Sequence, residues 1–321
     1  MTDGYGRNID YVRISLTDKC NLRCRYCMPE SGIKNLEHKD ILSFEEIQRL
    51  VRILSQLGIN RIRLTGGEPL VRRGVTDLVK ILCRTEGIRE LVMTSNGCLL
   101  SEYANELAEA GLSGINISLD TLNRDTFIRI TGRDELINVL SGIDAAKKAG
   151  LKVKLNCVPI LGTNDGEMEE LTLYAREKEL DLRFIELMPL GCGAGFTGIS
   201  RDEILLRLER SYGKAKPLAG EDGKGPALYY SFPGYKGRIG FISPITHGFC
   251  GSCNRIRLTA SGFLRLCLQY PYGADLRTPL RQGDTDDEIR QIIEAEVKEK
   301  PASHCFGEIR QDTGKMVQIG G

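Results

Sequence analysis

The stretch Thr17-Asp-Lys-Cys-Asn-Leu-Arg-Cys-Arg-Tyr-Cys27 holds Cys20, Cys24 and Cys27 in a C-x3-C-x2-C spacing. Three thiolates this close repel one another and converge only when a metal or cluster neutralises them. Zinc in a closed site takes four ligands, and no further Cys or His lies within ten residues of the group. A four-iron cluster can sit on three thiolates and leave one iron open to an outside ligand. The ferredoxin run is C-x2-C-x2-C with a fourth cysteine, so this spacing differs from it. The plainer alternative is three reduced cysteines packed as small apolar side chains. Asn21, Arg23, Arg25 and Tyr26 between them oppose it, because they do not suit a core strand.

Just before the group, Tyr11-Val-Arg-Ile-Ser-Leu16 alternates polar and apolar residues and predicts a strand running into the cysteine loop. After it, Ser43-Phe-Glu-Glu46 predicts a capping box. The helix it opens buries Ile47, Leu50, Val51, Leu54 and Leu57 and stops at Gly58. Strand Arg61–Thr65 follows, then Gly66-Gly-Glu-Pro69. Helix and strand recur, with strands at Leu91–Thr94, Gly114–Ser118, Lys152–Val158 and Leu182–Leu187. Each connection is long enough for a right-handed parallel crossover. The pattern predicts an α/β chain: a partial, incomplete TIM-like (β/α)6 barrel over residues 1–199, with its site at the carboxyl ends of the strands. The two further units of a closed eight-stranded barrel are absent.

The rhythm breaks after Met188-Pro-Leu-Gly191. A helix over 200–213, a loop at Gly220–Pro226, short strands near 228–232 and 238–242, and a helix over Asp286–Lys298 predict a smaller C-terminal α+β domain spanning 200–321. That domain carries a second cysteine group. Cys250-Gly-Ser-Cys253 and Cys267 make C-x2-C-x13-C, again three thiols. Spacing alone leaves a second Fe-S cluster and a zinc site both open, because His247 could complete a Cys3His set. Arg255 and Arg257, on one face of the strand that follows, favour an anionic ligand beside a cluster.

The 44 basic and 43 acidic residues leave a net charge of +1, which gives no general reason to expect nucleic acid or a membrane surface as partner. No apolar run approaches the length of a membrane span, and the first residues lack a signal peptide's apolar core. With 11 cysteines and no export signal, reduced thiols and metal ligands in a cytoplasmic protein are expected rather than disulfides.

A C-x3-C-x2-C group directly after an apolar strand resembles the radical S-adenosylmethionine (SAM) enzymes. Further stretches narrow the resemblance to the GTP 3′,8-cyclase family, and it spans essentially the whole chain. They are Arg13-Ile-Ser-Leu-Thr-Asp-Lys-Cys20, Cys24-Arg-Tyr-Cys-Met-Pro29, Arg63-Leu-Thr-Gly-Gly-Glu-Pro69, Asn116-Ile-Ser-Leu-Asp120, the second cysteine group with Asn254-Arg-Ile-Arg257, and Gly320-Gly321. No motif position departs from the family's pattern, and Lys19, where Arg would also be expected, is conservative.

The resemblance implies two [4Fe-4S] clusters about a shared cavity. The cluster on Cys20, Cys24 and Cys27 would chelate SAM and split it to a 5′-deoxyadenosyl radical. The cluster on Cys250, Cys253 and Cys267 would bind the guanine of GTP. The ribose 3′ hydrogen is removed and the sugar carbon adds to guanine C8, on the route to molybdopterin. By motif match, Tyr26, Gly67, Ser118 and Met188 would contact SAM. Arg13, Arg63, Thr94, Lys154, Arg255 and Arg257 would hold GTP at one sheet mouth, with Arg183 a weaker candidate. Gly320 and Gly321 would enter the cavity and assist catalysis. An electron donor and a downstream cyclic pyranopterin monophosphate synthase are implied partners, for a monomer or homodimer.

Other features weigh less. Gly191-Cys-Gly-Ala-Gly195 resembles a phosphate-binding loop only loosely, and no G-x-x-x-x-G-K-[ST] exists. Cys83, Cys98, Cys157, Cys192 and Cys305 lack metal-ligand spacing and read as structural. His38 and His304 read as surface or packing residues. Two other functions stay in view: a peptide-modifying radical SAM enzyme with an auxiliary cluster, and a non-catalytic zinc scaffold.

Overall fold

The computed structural model describes residues 1–218, 225–306 and 316–319. Strands β1 (Tyr11–Ser15), β2 (Arg61–Thr65), β3 (Glu90–Ser95), β4 (Gly114–Ser118), β5 (Lys152–Cys157) and β6 (Asp181–Ile185) run parallel, side by side in chain order. Because side chains alternate along a strand, the sheet acquires two faces of opposite chemistry. One carries Val12, Ile14, Ile62, Leu64, Met93, Ile117, Leu155 and Leu182, all fully buried in one apolar core with the crossover helices. The other face carries arginines, Lys154, asparagines, serines and threonines.

The helices form where the sequence places them. Phe44–Gln56 starts on the capping box, with Glu46 N–H donating to Ser43 Oγ at 3.1 Å and Ser43 N–H to Glu46 Oε2 at 2.7 Å. Asp286–Lys298 has an equivalent box from Thr285 and Glu288. Between β4 and β5 the chain makes two helices, Arg124–Thr131 and Leu136–Lys148. Asn123 Oδ1 caps the first by accepting from Thr126 N–H at 3.0 Å, and Gly132, at φ 66°, ends it in the left-handed region.

The C-terminal strands do not build a sheet of their own. β7 (Lys216–Leu218), β8 (Leu228–Ser231) and β9 (Ile239–Ile242) extend the sheet beyond β6; β10 (Arg255–Leu258), β11 (Phe263–Arg265) and β12 (Gly273–Asp275) extend it beyond β1. β9 runs parallel to β6 and β10 parallel to β1, so eight parallel strands stand in a row. The two strands that the repeating units lack therefore come from beyond residue 200. Sequence periodicity could not show this, because such pairings join residues far apart in the chain.

The sheet is curled. Laid flat, Arg183 on β6 would lie four strand spacings, about 19 Å, from Arg63 on β2. Instead the Arg63 charge acts directly on Arg183, along with the phenol of Tyr11. The polar face is thus the inside of a barrel, and the apolar face its outside.

Candidate active site

The first cysteine group lies in the loop leaving the carboxyl end of β1. One flank is clamped by the loop after β2: Gly67 N–H donates to Thr17 O at 2.7 Å and Glu68 N–H to Lys19 O at 2.8 Å. The backbones approach so closely that a β-carbon on Gly67 would sit 2.2 Å from the Lys19 carbonyl oxygen. Only glycine fits there. The other flank hangs on helix Arg124–Thr131, with Arg23 N–H donating to Thr131 O at 2.7 Å and Arg25 N–H to Ile130 O at 2.9 Å.

The thiols are packed where charge is costly. Burial raises Cys20 to about 11; burial, then Cys20 and Cys192, raise Cys27 to about 12; Cys24 also rises, with both neighbours contributing. Three thiolates here need a positive centre. Among the described residues, no three Cys, His, Asp or Glu side chains gather tightly enough to hold a single metal ion. Zinc needs its sulfurs about 2.3 Å from one centre, whereas a four-iron cluster gives each thiolate its own iron and a wider footprint. The donor set fits a cluster. His247, the candidate fourth zinc ligand, is exposed and its Nδ1 lies 3.0 Å from Thr246 Oγ1.

Beside the first group, one cavity is lined by Cys24, Tyr26, Asn96, Ser118, Asp120 and Phe127. Tyr26 and Ser118 thus meet at one cavity. Met188 is half-buried across the loop; a β-carbon on Gly193 would meet Met188 O at 2.6 Å and Tyr26 O at 3.5 Å. Two buried carboxyls frame the site. Asp120 accepts from Tyr26 Oη and Val158 N–H, both at 2.8 Å. Glu68 accepts from Ser95 Oγ at 2.8 Å, Leu70 N–H at 3.1 Å and Asn96 N–H at 2.7 Å. Neither was singled out from sequence, although each lies in a quoted motif.

Burial outweighs these hydrogen bonds and raises Asp120 to about 6 and Glu68 to about 7. Both lie above their ordinary 3.8 and 4.5, so the unfolded chain ionises first. Their contribution to stability is full below about pH 4 and is lost as pH rises through 6 and 7. The cluster-free protein is therefore expected to lose up to about 3 kcal/mol per carboxyl across that window. Urea denaturation from pH 4 to 7.5 measures this. Asp120→Asn should remove its share of the slope; an unchanged slope would refute the assignment.

The second group sits at the opposite end of the barrel. Cys250 and Cys253 close a turn, with Cys253 N–H donating to Cys250 O at 3.1 Å, just before β10. The antiparallel pairing of β10 with β11 brings Cys267 back beside them. Since Arg255 pairs with Tyr11 at the start of β1, while Cys20 follows its end, the groups are separated by the strand's length, about 13 Å. The second group is electropositive: burial opposes ionisation, yet Arg255 and Lys300 bring Cys253 down to about 7.

Between the groups the inner face is a field of cations. Arg265, Arg257, Arg13 and Arg63 stand side by side on β11, β10, β1 and β2. Burial, then Arg257, Arg63 and Arg255, push Arg13 well below the usual guanidinium range, and burial with Arg255 brings Arg257 to about 10. Tyr11, one step toward the amino end, accepts from Arg63 Nε. Further round, Thr94, Asn116 and Lys154 share a register. The Thr94 hydroxyl is buried with no hydrogen-bond partner among the described residues. Lys154 Nζ lies 3.7 Å from Asp181, and Arg183 donates to Asn156 at 2.9 Å and to Asn116. The cations expected at the sheet mouth instead lie along the barrel wall, because they occupy mid-strand positions. Tyr11 and Arg265 were missed; Tyr11 could have been found by its same-face spacing from Arg13.

Gly320 and Gly321 lie outside the described residues. The residues before them form a short helix, Met316–Ile319, with Val317 and Ile319 buried and the Val317 amide on the Cys27 sulfur.

A curled parallel sheet with a three-cysteine loop after its first strand defines a class. The Radical SAM superfamily matches residues 14–175 and Molybdenum Cofactor Synthesis C matches residues 180–306. The chain belongs to the radical SAM superfamily. GTP 3′,8-cyclases of Peptoclostridium acidaminophilum (47% identical, covering all of this chain and 98% of the relative) and Clostridium perfringens strain 13 (45%, all of both chains) are similar throughout. Within the superfamily, the chain belongs to the GTP 3′,8-cyclase family. Among solved structures, Streptococcus suis SuiB bound to S-adenosylmethionine aligns with a TM-score of 0.60 at 15% identity, over 88% of this chain and 68% of SuiB. That likeness shows the fold alone. Among the described residues no helix is long and apolar enough to cross a membrane.

Proposed function

We propose that the chain cyclises GTP to (8S)-3′,8-cyclo-7,8-dihydroguanosine 5′-triphosphate by radical SAM chemistry, the first step of molybdenum cofactor biosynthesis. The observation that carries this reading is one cationic inner face with a cysteine group at each end. When bound, a cluster at Cys20, Cys24 and Cys27 supplies the electron that splits SAM, and one at Cys250, Cys253 and Cys267 supplies an open iron for guanine.

The chain's own residues position the reactants. Tyr26 and Ser118 bound the SAM cavity, Met188 contacts SAM from a neighbouring loop, and Gly67 lets the loop after β2 close against the cysteine loop. Arg13, Arg63, Arg255 and Arg257 hold the triphosphate, with Thr94 and Lys154 from the neighbouring strands. Fixed guanidinium groups suit phosphate oxygens better than mobile ammonium groups do. Tyr11 keeps the Arg63 fork oriented. The protein works in the cytoplasm as a monomer or homodimer. It takes electrons from a one-electron donor and passes a labile product to cyclic pyranopterin monophosphate synthase.

Arg255→Ala and Arg257→Ala each remove a charge-assisted contact, typically about 1.5–3 kcal/mol. GTP binding should weaken about ten- to a hundredfold while SAM binding stays nearly constant, as read by equilibrium titration of each ligand. Equal loss of both would mean a lost cluster or fold instead. The test of the whole reading is anaerobic reconstitution with iron and sulfide, then product identification with SAM and GTP. A colourless zinc protein, or one that leaves GTP intact and modifies a peptide, overturns it.

A further inference from the structure

The segment ahead of β1 is bonded to the second cysteine group, far from it in sequence. Buried Arg7 uses all five of its N–H donors there. Nε donates to Asp3 Oδ2 at 2.5 Å, Nη1 to the carbonyls of Cys250 and Ala302, each at 2.9 Å, and Nη2 to Pro301 O at 2.7 Å and Lys300 O at 3.4 Å. The Asp3 carboxylate is closed to solvent, and its Oδ1 accepts from the Tyr5 and Arg7 amides, each at 2.9 Å. A few residues on, Asp10 Oδ1 accepts from Asn254 Nδ2 at 2.6 Å, and Tyr11 N–H donates to Asn254 O at 3.3 Å, beside Cys253. Buried Lys300, whose carbonyl Arg7 holds, donates from Nζ to Leu266 O, beside Cys267. One short segment thus reaches all three cysteines, the first at its own carbonyl and the others through an adjacent residue.

A buried ion pair is a weak source of stability, because apolar side chains of similar volume often replace it at little cost. What apolar side chains cannot do is hold four carbonyls of two separate segments at set distances. The same segment runs on through β1 to Cys20, so Asp3 to Cys20 is one continuous piece with a cysteine group at either end. We infer that the Asp3–Arg7 pair is a positioning device, fixing the second group, and the substrate on it, at a set distance from the first along β1. This rests on the reading of Cys250, Cys253 and Cys267 as cluster ligands that anchor GTP. A misplacement of about 1 Å between reacting atoms costs about a hundredfold in rate, so an error in this spacing spares SAM cleavage and impairs cyclisation. A 5′-deoxyadenosyl radical out of reach of the ribose takes its hydrogen atom from a buffer thiol instead, giving 5′-deoxyadenosine and a thiyl radical without cyclised product.

The test uses the full chain, reconstituted anaerobically with iron and sulfide and assayed with SAM, GTP and dithiothreitol. Arg7→Ala should form 5′-deoxyadenosine within about threefold of the wild-type rate, with about tenfold less cyclised nucleotide per 5′-deoxyadenosine. Arg7→Lys, which keeps the charge but gathers three donors on one nitrogen, should recover part of that ratio. A pair that serves only the fold lowers both products together and leaves the ratio unchanged, and that result overturns the inference. Iron release supplies a readout without turnover. In the chain with Cys20, Cys24 and Cys27 changed to Ala, Arg7→Ala should speed the loss of iron to a chelator about tenfold. In the mirror chain, with Cys250, Cys253 and Cys267 changed to Ala, it should alter that loss by less than about twofold. Equal acceleration in both chains, or none in the first, overturns the inference. If the mirror chain binds as much iron as the unaltered protein, the second group holds no cluster, the underlying reading fails, and the inference falls with it.

Discussion

Alanine at Cys250, Cys253 and Cys267 is expected to abolish cyclised product while SAM cleavage continues at a reduced rate. The substrate would lose its anchoring end, and positioning contributes about 7–11 kcal/mol in well-oriented reactions. A loss of about a thousandfold or more follows. Alanine at Cys20, Cys24 and Cys27 should abolish SAM cleavage and product together, leaving about half of the iron. The asymmetry separates the two groups, which lie at opposite ends of β1 and share no residue. Liquid chromatography of 5′-deoxyadenosine and of the nucleotide product reads both. Product from the Cys250, Cys253 and Cys267 variant would refute a substrate-binding role for that group.

Deleting Gly320 and Gly321 should lower GTP cyclisation by about a hundredfold or more, leaving iron content, thermal stability and SAM binding unchanged. The support is the segment just before them. Val317 and Ile319 are buried, and the Val317 amide meets the Cys27 sulfur. Helix Met316–Ile319 thus lies beside the first cysteine group, and glycines alone can follow a narrow path beside a ligand without side-chain clash. A peptide ending in Gly-Gly should restore part of the activity. Full activity after the deletion would make these two glycines a frayed end.

The six-strand rhythm was legible because each unit repeats a local signal: an apolar stripe at helical spacing, a glycine stop and a short strand. Strands Arg61–Thr65 and Gly114–Ser118 follow the sequence reading residue for residue. Both cysteine groups were legible from spacing, since ligands near in sequence need only a tight loop. What the sequence hides is register. Nothing local shows that Arg265, Arg257, Arg13 and Arg63 form one row, because three pairings between distant segments create it. The placement of β9 and β10 in the barrel is hidden for the same reason. Asp120 and Glu68 escaped notice because a carboxylate's importance here comes from burial, which is a property of the finished fold.

Pairing β1 with β10 also sets a timetable for the newborn chain. Tyr11 faces Arg255, so β1 cannot gain that neighbour until 244 further residues have been made. At about 5–20 residues per second, the interval is roughly 12–49 s. Throughout it β1 has one bare edge, the kind of surface that recruits foreign strands.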